Sequence, residues 1–280
     1  MKSIFDMFAP KPKVEEPVGP VPYADITVVL DRSSSMLGMC DGVVDGFNSY
    51  VNEMRKTPGD THWTLIEFDD PSSAAGAKEE FPHVLYEDKN EKEVPYLSLT
   101  FEKTSVVATS GQMFYSGGMT VSKPKVIPEG CVPYQPRGGT ALVDAVCKSI
   151  EKANLRTSGQ NHVTRIMMVI TDGEENSSTE YTTEKMRELI AKQQAAGDQY
   201  FYIGANQDAW DIAKKYDMAT QNSYGGSVLS GAALAGAYNS FSYCANSAGV
   251  REALGSGFVG LRSAVSGCVG SGTVYHKGFN

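Results

Sequence analysis

The sequence predicts an α/β protein: a doubly wound, mostly parallel sheet flanked by helices, with a β-hairpin insertion and an extended N-terminal arm. Three observations predict it. Ile26 to Leu30 is a run of β-branched and aliphatic residues and Ile166 to Ile170 a second apolar run, the pattern of strands buried on both faces of a parallel sheet. Segments with apolar residues at helical spacing separate the strand-like runs. Strand and helix patterns alternate along the chain, as in a doubly wound sheet.

The elements follow in order. Residues 9–22 read APKPKVEEPVGPVP and hold five of the 13 prolines, so they form an extended linker. It tethers the short apolar segment MKSIFDMF, and residues 1–22 are expected to meet an assembly partner through a groove. The main domain spans 23–220. After the first strand, Val43, Val44, Phe47, Tyr50, Val51 and Met54 keep helical spacing, and Pro58-Gly59 stops that helix. His62 to Phe68 alternates as a strand and ends in Asp69-Asp70, which reads as a solvated turn more readily than as part of a site. Val84 to Tyr86 is a further strand. From about 97 to 130, β-branched and aromatic runs surround Gly117-Gly118, the signature of a hairpin. Ala141 to Ala153 and Tyr181 to Ala196 are amphipathic helices, Tyr200 to Gly204 a strand and Asp208 to Tyr216 a helix. Residues 221–280 hold 12 of the 28 glycines and four charged residues. That is not the composition of a solvated tail. Helical spacing at 229–237 and 250–265 implies packing on the domain or on a partner.

The chemistry sits where strands end, since open parallel sheets bind ligands beyond their carboxyl edges. The first apolar run leads into Asp31, Ser33 and Ser35; the second ends in Thr171-Asp172-Gly173. Arg137-Gly138-Gly139-Thr140 opens the helix between them. Carboxylates and hydroxyls are hard oxygen donors suited to Mg²⁺. Asp and Ser after a strand are also preferred helix N-caps, and D-x-S-x-S alone would favour that reading. The later Thr and Asp loops change the balance.

The combination DRSSS, RGGTALVDAV and MMVITDGEEN resembles a von Willebrand factor A (VWA) domain over about residues 24–218. It is most similar to small stand-alone bacterial and phage members, which share FDD, GGTAL, ITDG and GANQDA. The resemblance implies a VWA/Rossmann-like fold and a metal-ion-dependent adhesion site. It makes Asp31, Ser33, Ser35, Thr140 and Asp172 ligands of Mg²⁺ or Mn²⁺, with a vacancy for a partner's Asp or Glu carboxylate. Gly139, Glu174 and Glu175 are the expected partner-facing residues. Ser34 stands where a glycine is common, and the 97–130 insertion is a further departure, expected to border the site.

Composition limits the alternatives. A net charge of −8 argues against a nucleic-acid surface. The five cysteines lack a C-x-x-C pair and the four histidines lack ligand spacing, so reduced thiols and surface or boundary histidines are expected. Met1 to Phe8 is too short for a signal-peptide core and no stretch reaches membrane-span length, so a cytoplasmic location is expected, with a virion as the alternative. Neither a G-x-S-x-G elbow nor a Walker A sequence occurs. Gly255 to Gly260 spells G-x-G-x-x-G inside a helix-like pattern, without the preceding strand a nucleotide site needs. The expectation is a non-enzymatic, metal-dependent protein-binding module. The alternatives are a structural part of an assembly such as a phage virion, a partner of a MoxR- or chelatase-type AAA+ ATPase and, weakest, a metal-dependent hydrolase.

Overall fold

A computed structural model of the chain describes residues 23–56, 61–72, 80–106, 119–160, 162–172, 175–205, 214–216 and 223–226. The centre is strand β1 (Tyr23–Asp31), buried along nearly its whole length. It pairs in parallel with β2 (Thr61–Phe68) on one side and β8 (Val163–Thr171) on the other. Beyond β8 lie β9 (Gln199–Ala205) and β10 (Ser223–Gly226), both parallel. Beyond β2 lies β3 (His83–Asn90), the one antiparallel member of the six-stranded sheet. The sheet is therefore mixed but mostly parallel, as the apolar runs predict. β2 is buried at seven of its eight positions, where its sequence implied alternation: an inner strand with both faces covered has no solvent side.

Side-chain alternation sorts the core into two layers. Ile26, Val28 and Leu30 of β1 and Ile166, Met168 and Ile170 of β8 pack with Val43, Phe47, Tyr50 and Val51 of helix α1 (Cys40–Lys56). Val29, Met167, Val169, Tyr200 and Tyr202 face the other way, onto helices α2 (Leu142–Arg156) and α3 (Thr183–Ala195). Asp41 begins α1 and Arg55 and Lys56 end it, in keeping with the helix dipole. Among the described residues, no helix is long and apolar enough to cross a membrane. Cys40, Cys131 and Cys147 form no disulfide among the described residues.

The insertion differs from a simple hairpin. Strands β5 (Phe101–Val106) and β6 (Met119–Pro124) do pair antiparallel, but flanking strands β4 (Tyr96–Leu99) and β7 (Cys131–Tyr134) pair in parallel. The chain docks this unit on α1: Asn48 donates to the Leu97 carbonyl and accepts from its amide, at 2.9 and 2.8 Å. The Asn48 amide thus mimics a neighbouring strand. Arg55 adds a bond to the Val94 carbonyl.

On β3, Asp88 has φ +54° and the register against β2 slips at Trp63 to Ile66, so this edge is bulged. His62 meets Asp88 at 2.7 Å, in keeping with its expected boundary position. The expected helices at 229–237 and 250–265, residues 1–22 and most of 208–216 lie outside the described residues.

Candidate metal centre

The chain leaves central β1 toward β2 on one side and later fills β8 on the other, so the sheet's switch point lies between β1 and β8. Asp31 ends β1, Thr171 ends β8 and Asp172 directly follows it, at one carboxyl edge of this crevice. That is the position where open α/β sheets place ligands.

Hydrogen bonds join the two strand ends. Ser33 N donates to Asp31 Oδ1 at 2.6 Å, and the Ser33 and Ser35 hydroxyls lie 2.9 Å apart. Ser35 Oγ donates to Asp172 Oδ1 at 2.7 Å. Thr171 Oγ1 donates to Asp31 Oδ2 at 2.6 Å, fixing that carboxylate from behind. Asp31 and Ser33 are buried, Asp172 is half-buried and Ser35 is exposed, so the group opens outward. Burial pushes the Asp31 carboxyl up to about 6, with Asp172 adding to the rise and Thr171 and Ser33 opposing it. Burial raises Asp172 as well, against its bond from Ser35. Two acids held this way favour a counter-cation.

The third loop joins through its backbone. Ser34 N donates to the Gly138 carbonyl at 3.0 Å, and Arg137 N to the Arg32 carbonyl at 2.6 Å. Gly138 has φ +68°, a conformation open to glycine at little cost. A Cβ on Gly139 would collide with Ser177 Oγ and come within 3.0 Å of Asn176 Oδ1, so the glycine admits the following loop. Thr140 is buried; its amide donates to Asn176 Oδ1 at 2.9 Å, and its carbonyl accepts from the Asn176 and Ser177 amides. The structure therefore links Asp31, Ser33, Ser35 and Asp172 directly, and holds Thr140 on an adjoining loop.

Hard oxygens from separate loops, two of them carboxylates, suit a small divalent ion, so the donor set fits Mg²⁺ or Mn²⁺. Among the described residues, no three His, Cys, Asp or Glu side chains are grouped to hold a metal. The candidate centre has two such residues and depends on hydroxyls for the rest.

The surroundings add residues that sequence reasoning missed. Asp69, expected in a solvated turn, is buried: its Oδ2 accepts from Arg137 Nε at 2.8 Å and lies 3.2 Å from Arg32 Nε. Glu67 is paired with Arg32 at 3.3 Å, and burial pushes its carboxyl up to about 8 despite the guanidinium. Tyr134, at the end of β7 and just past the insertion, donates its hydroxyl to the Asp31 carbonyl at 2.8 Å.

Glu175 accepts from the amides of Val143, Ser177 and Ser178; its oxygens are engaged within the chain as a cap of α2. Glu174 lies outside the described residues. Asp144 is fully buried and accepts from the amides of Thr179, Glu180 and Tyr181. A lone acid inside the apolar LVDAV stretch was the available signal for it.

No protein family matches the chain by sequence profile, and no curated protein matches it. Among solved structures, two crystal forms of the pilus adhesin SpaC from Lactobacillus rhamnosus GG superpose with TM-scores of 0.48 and 0.49. They are 14% and 12% identical, over 80% of this chain in both cases. The chain spans 31% and 30% of those adhesin chains. Manganese-loaded TRAP protein from Plasmodium vivax superposes with a TM-score of 0.35 at 12% identity, over 65% of this chain and 57% of that one.

Proposed function

We propose that this chain is a non-enzymatic protein-binding module whose Mg²⁺ or Mn²⁺ ion accepts a carboxylate from a protein partner. The observation that carries the reading is the hydrogen-bonded series from Asp31 through Ser33 and Ser35 to Asp172 across the switch point. The resemblance of the DRSSS, RGGTALVDAV and MMVITDGEEN stretches to VWA motifs supports it.

Asp31, Ser33, Ser35, Thr140 and Asp172 would hold the ion. Bound there, the ion would supply positive charge and an open position for an incoming anion. The protein's own part is to prepare that position. Thr171 and the Ser33 amide hold Asp31 in one orientation. Ser35 and Asp172 are the donors open to the outside, so a partner approaches from their side. Two negative side chains among neutral hydroxyls leave a divalent ion only just neutralised, so a carboxylate still finds net attraction. A partner Asp or Glu is therefore favoured over a neutral group.

The test is calorimetric titration of the full chain with Mn²⁺ and Mg²⁺, followed by capture of Asp- and Glu-bearing peptides with and without EDTA. Asp31→Ala should abolish cation binding and EDTA-sensitive capture while circular dichroism stays native. EDTA-sensitive capture that survives in Asp31→Ala would remove the proposal.

A further inference from the structure

We infer that Asp69 and Arg137 are positioning residues for the cation, tying the Asp31–Ser35 loop to the Thr140 loop through one shared carboxylate oxygen; the inference rests on the cation reading above. Asp69 belongs to neither loop, yet three contacts converge on it. Its Oδ2 accepts from Arg137 Nε at 2.8 Å, and Arg137 stands three residues before Thr140. The same oxygen lies 3.2 Å from Nε of Arg32, which sits between Asp31 and Ser33. Its backbone carbonyl accepts from Ala141, the residue after Thr140, at 3.1 Å. Asp69 is 3% exposed, so water screens these contacts little.

The charge arrangement makes the inference testable by sign. Arg32 and Arg137 bring two positive charges to the border of a site meant for a cation. Taken as charges alone they oppose binding, so removing one would strengthen it. As a tether, Arg137 holds the Thr140 loop against the Asp31 loop, and removing it loosens the donor set. The two roles predict opposite changes in affinity. The Asp69 anion lets both guanidiniums sit there; without it they would repel one another and the ion.

The experiment titrates the full-length chain and its Arg137→Gln, Asp69→Asn and double variants with Mn²⁺ by calorimetry, alongside urea unfolding of each in EDTA. Arg137→Gln is expected to bind Mn²⁺ threefold to tenfold more weakly, although it removes a positive charge. Asp69→Asn is expected to lose at least tenfold, and the double variant no more than Asp69→Asn alone, because both act through one tether. If Asp69→Asn does not fold, Arg137→Gln decides, its side chain being 33% exposed and tolerant of change. Equal or tighter Mn²⁺ binding by Arg137→Gln overturns the inference and leaves the cation reading standing. A wild-type chain that binds no Mn²⁺ at millimolar concentration removes the cation reading, and this inference with it.

Discussion

Asp144→Ala should unfasten the segment that runs from Asp172 to α3. Asp144 is fully buried in the first turn of α2. Its Oδ2 accepts from Thr179 N at 2.8 Å and its Oδ1 from Tyr181 N at 2.8 Å, while Glu180 N lies 3.1 Å from both oxygens. Hydrogen bonds to a charged group contribute roughly 1.5–3 kcal/mol each. They do not add fully here, because Thr179 and Glu180 are exposed and their amides rehydrate once released. The negative charge near the α2 N-terminus adds about 0.5 kcal/mol. A loss of roughly 3 kcal/mol follows, lowering the melting temperature by about 10 °C for a domain of this size. Asp144→Asn should recover little, since it sets an amide N–H₂ against a backbone N–H. Urea unfolding followed by circular dichroism measures the cost, and Mn²⁺ titration reads the effect on Asp172 as weaker binding. An Ala variant within about 0.5 kcal/mol of wild type, the range of an ordinary surface substitution, would refute this reasoning.

Two further outcomes follow from the buried charges. Glu67 ionises near 4.5 when solvated and near 8 in the fold, so between those values the folded chain holds a proton that the unfolded chain releases. Stability from this group is full below about 4.5 and falls as pH rises through about 8. Glu67→Gln should flatten that slope in urea midpoints measured from pH 5 to 9, and an unchanged slope would assign it to another group. Arg156 donates to both oxygens of buried Asp25 and to Thr27 Oγ1, at 2.8–2.9 Å. Arg156→Met should cost about 3–5 kcal/mol by leaving a buried carboxylate without its partner. Adding Asp25→Asn should return much of that; a double variant as unstable as the single would contradict this account.

Strand and helix placement was legible because burial sets periodicity. β1 and β8 read as apolar runs, and α1 and α2 as helical spacing, since each residue's direction follows from its element. The order of the candidate donors was legible too, because Asp31 and Asp172 directly follow those runs. What sequence left open came from contacts between distant residues. Asp69 resembles any acid in a turn until Arg32 and Arg137, separated from each other by about a hundred positions, close around it. Glu175 looks like surface charge until α2 presents its amide to it. β4 and β7 are too short for a period-2 signal to emerge, and the side chain that docks β4 belongs to Asn48, far from it in sequence.

The bulged outer strand β3 has a bearing on crowding. An open rim of backbone donors invites a strand from a neighbouring molecule, which is how sheets fuse into fibres. Here a visiting strand would have to desolvate Glu87, Asp88 and Lys89 and match a ladder whose spacing slips midway. That flank resists zipping to its neighbours, so many copies packed side by side keep their sheets separate.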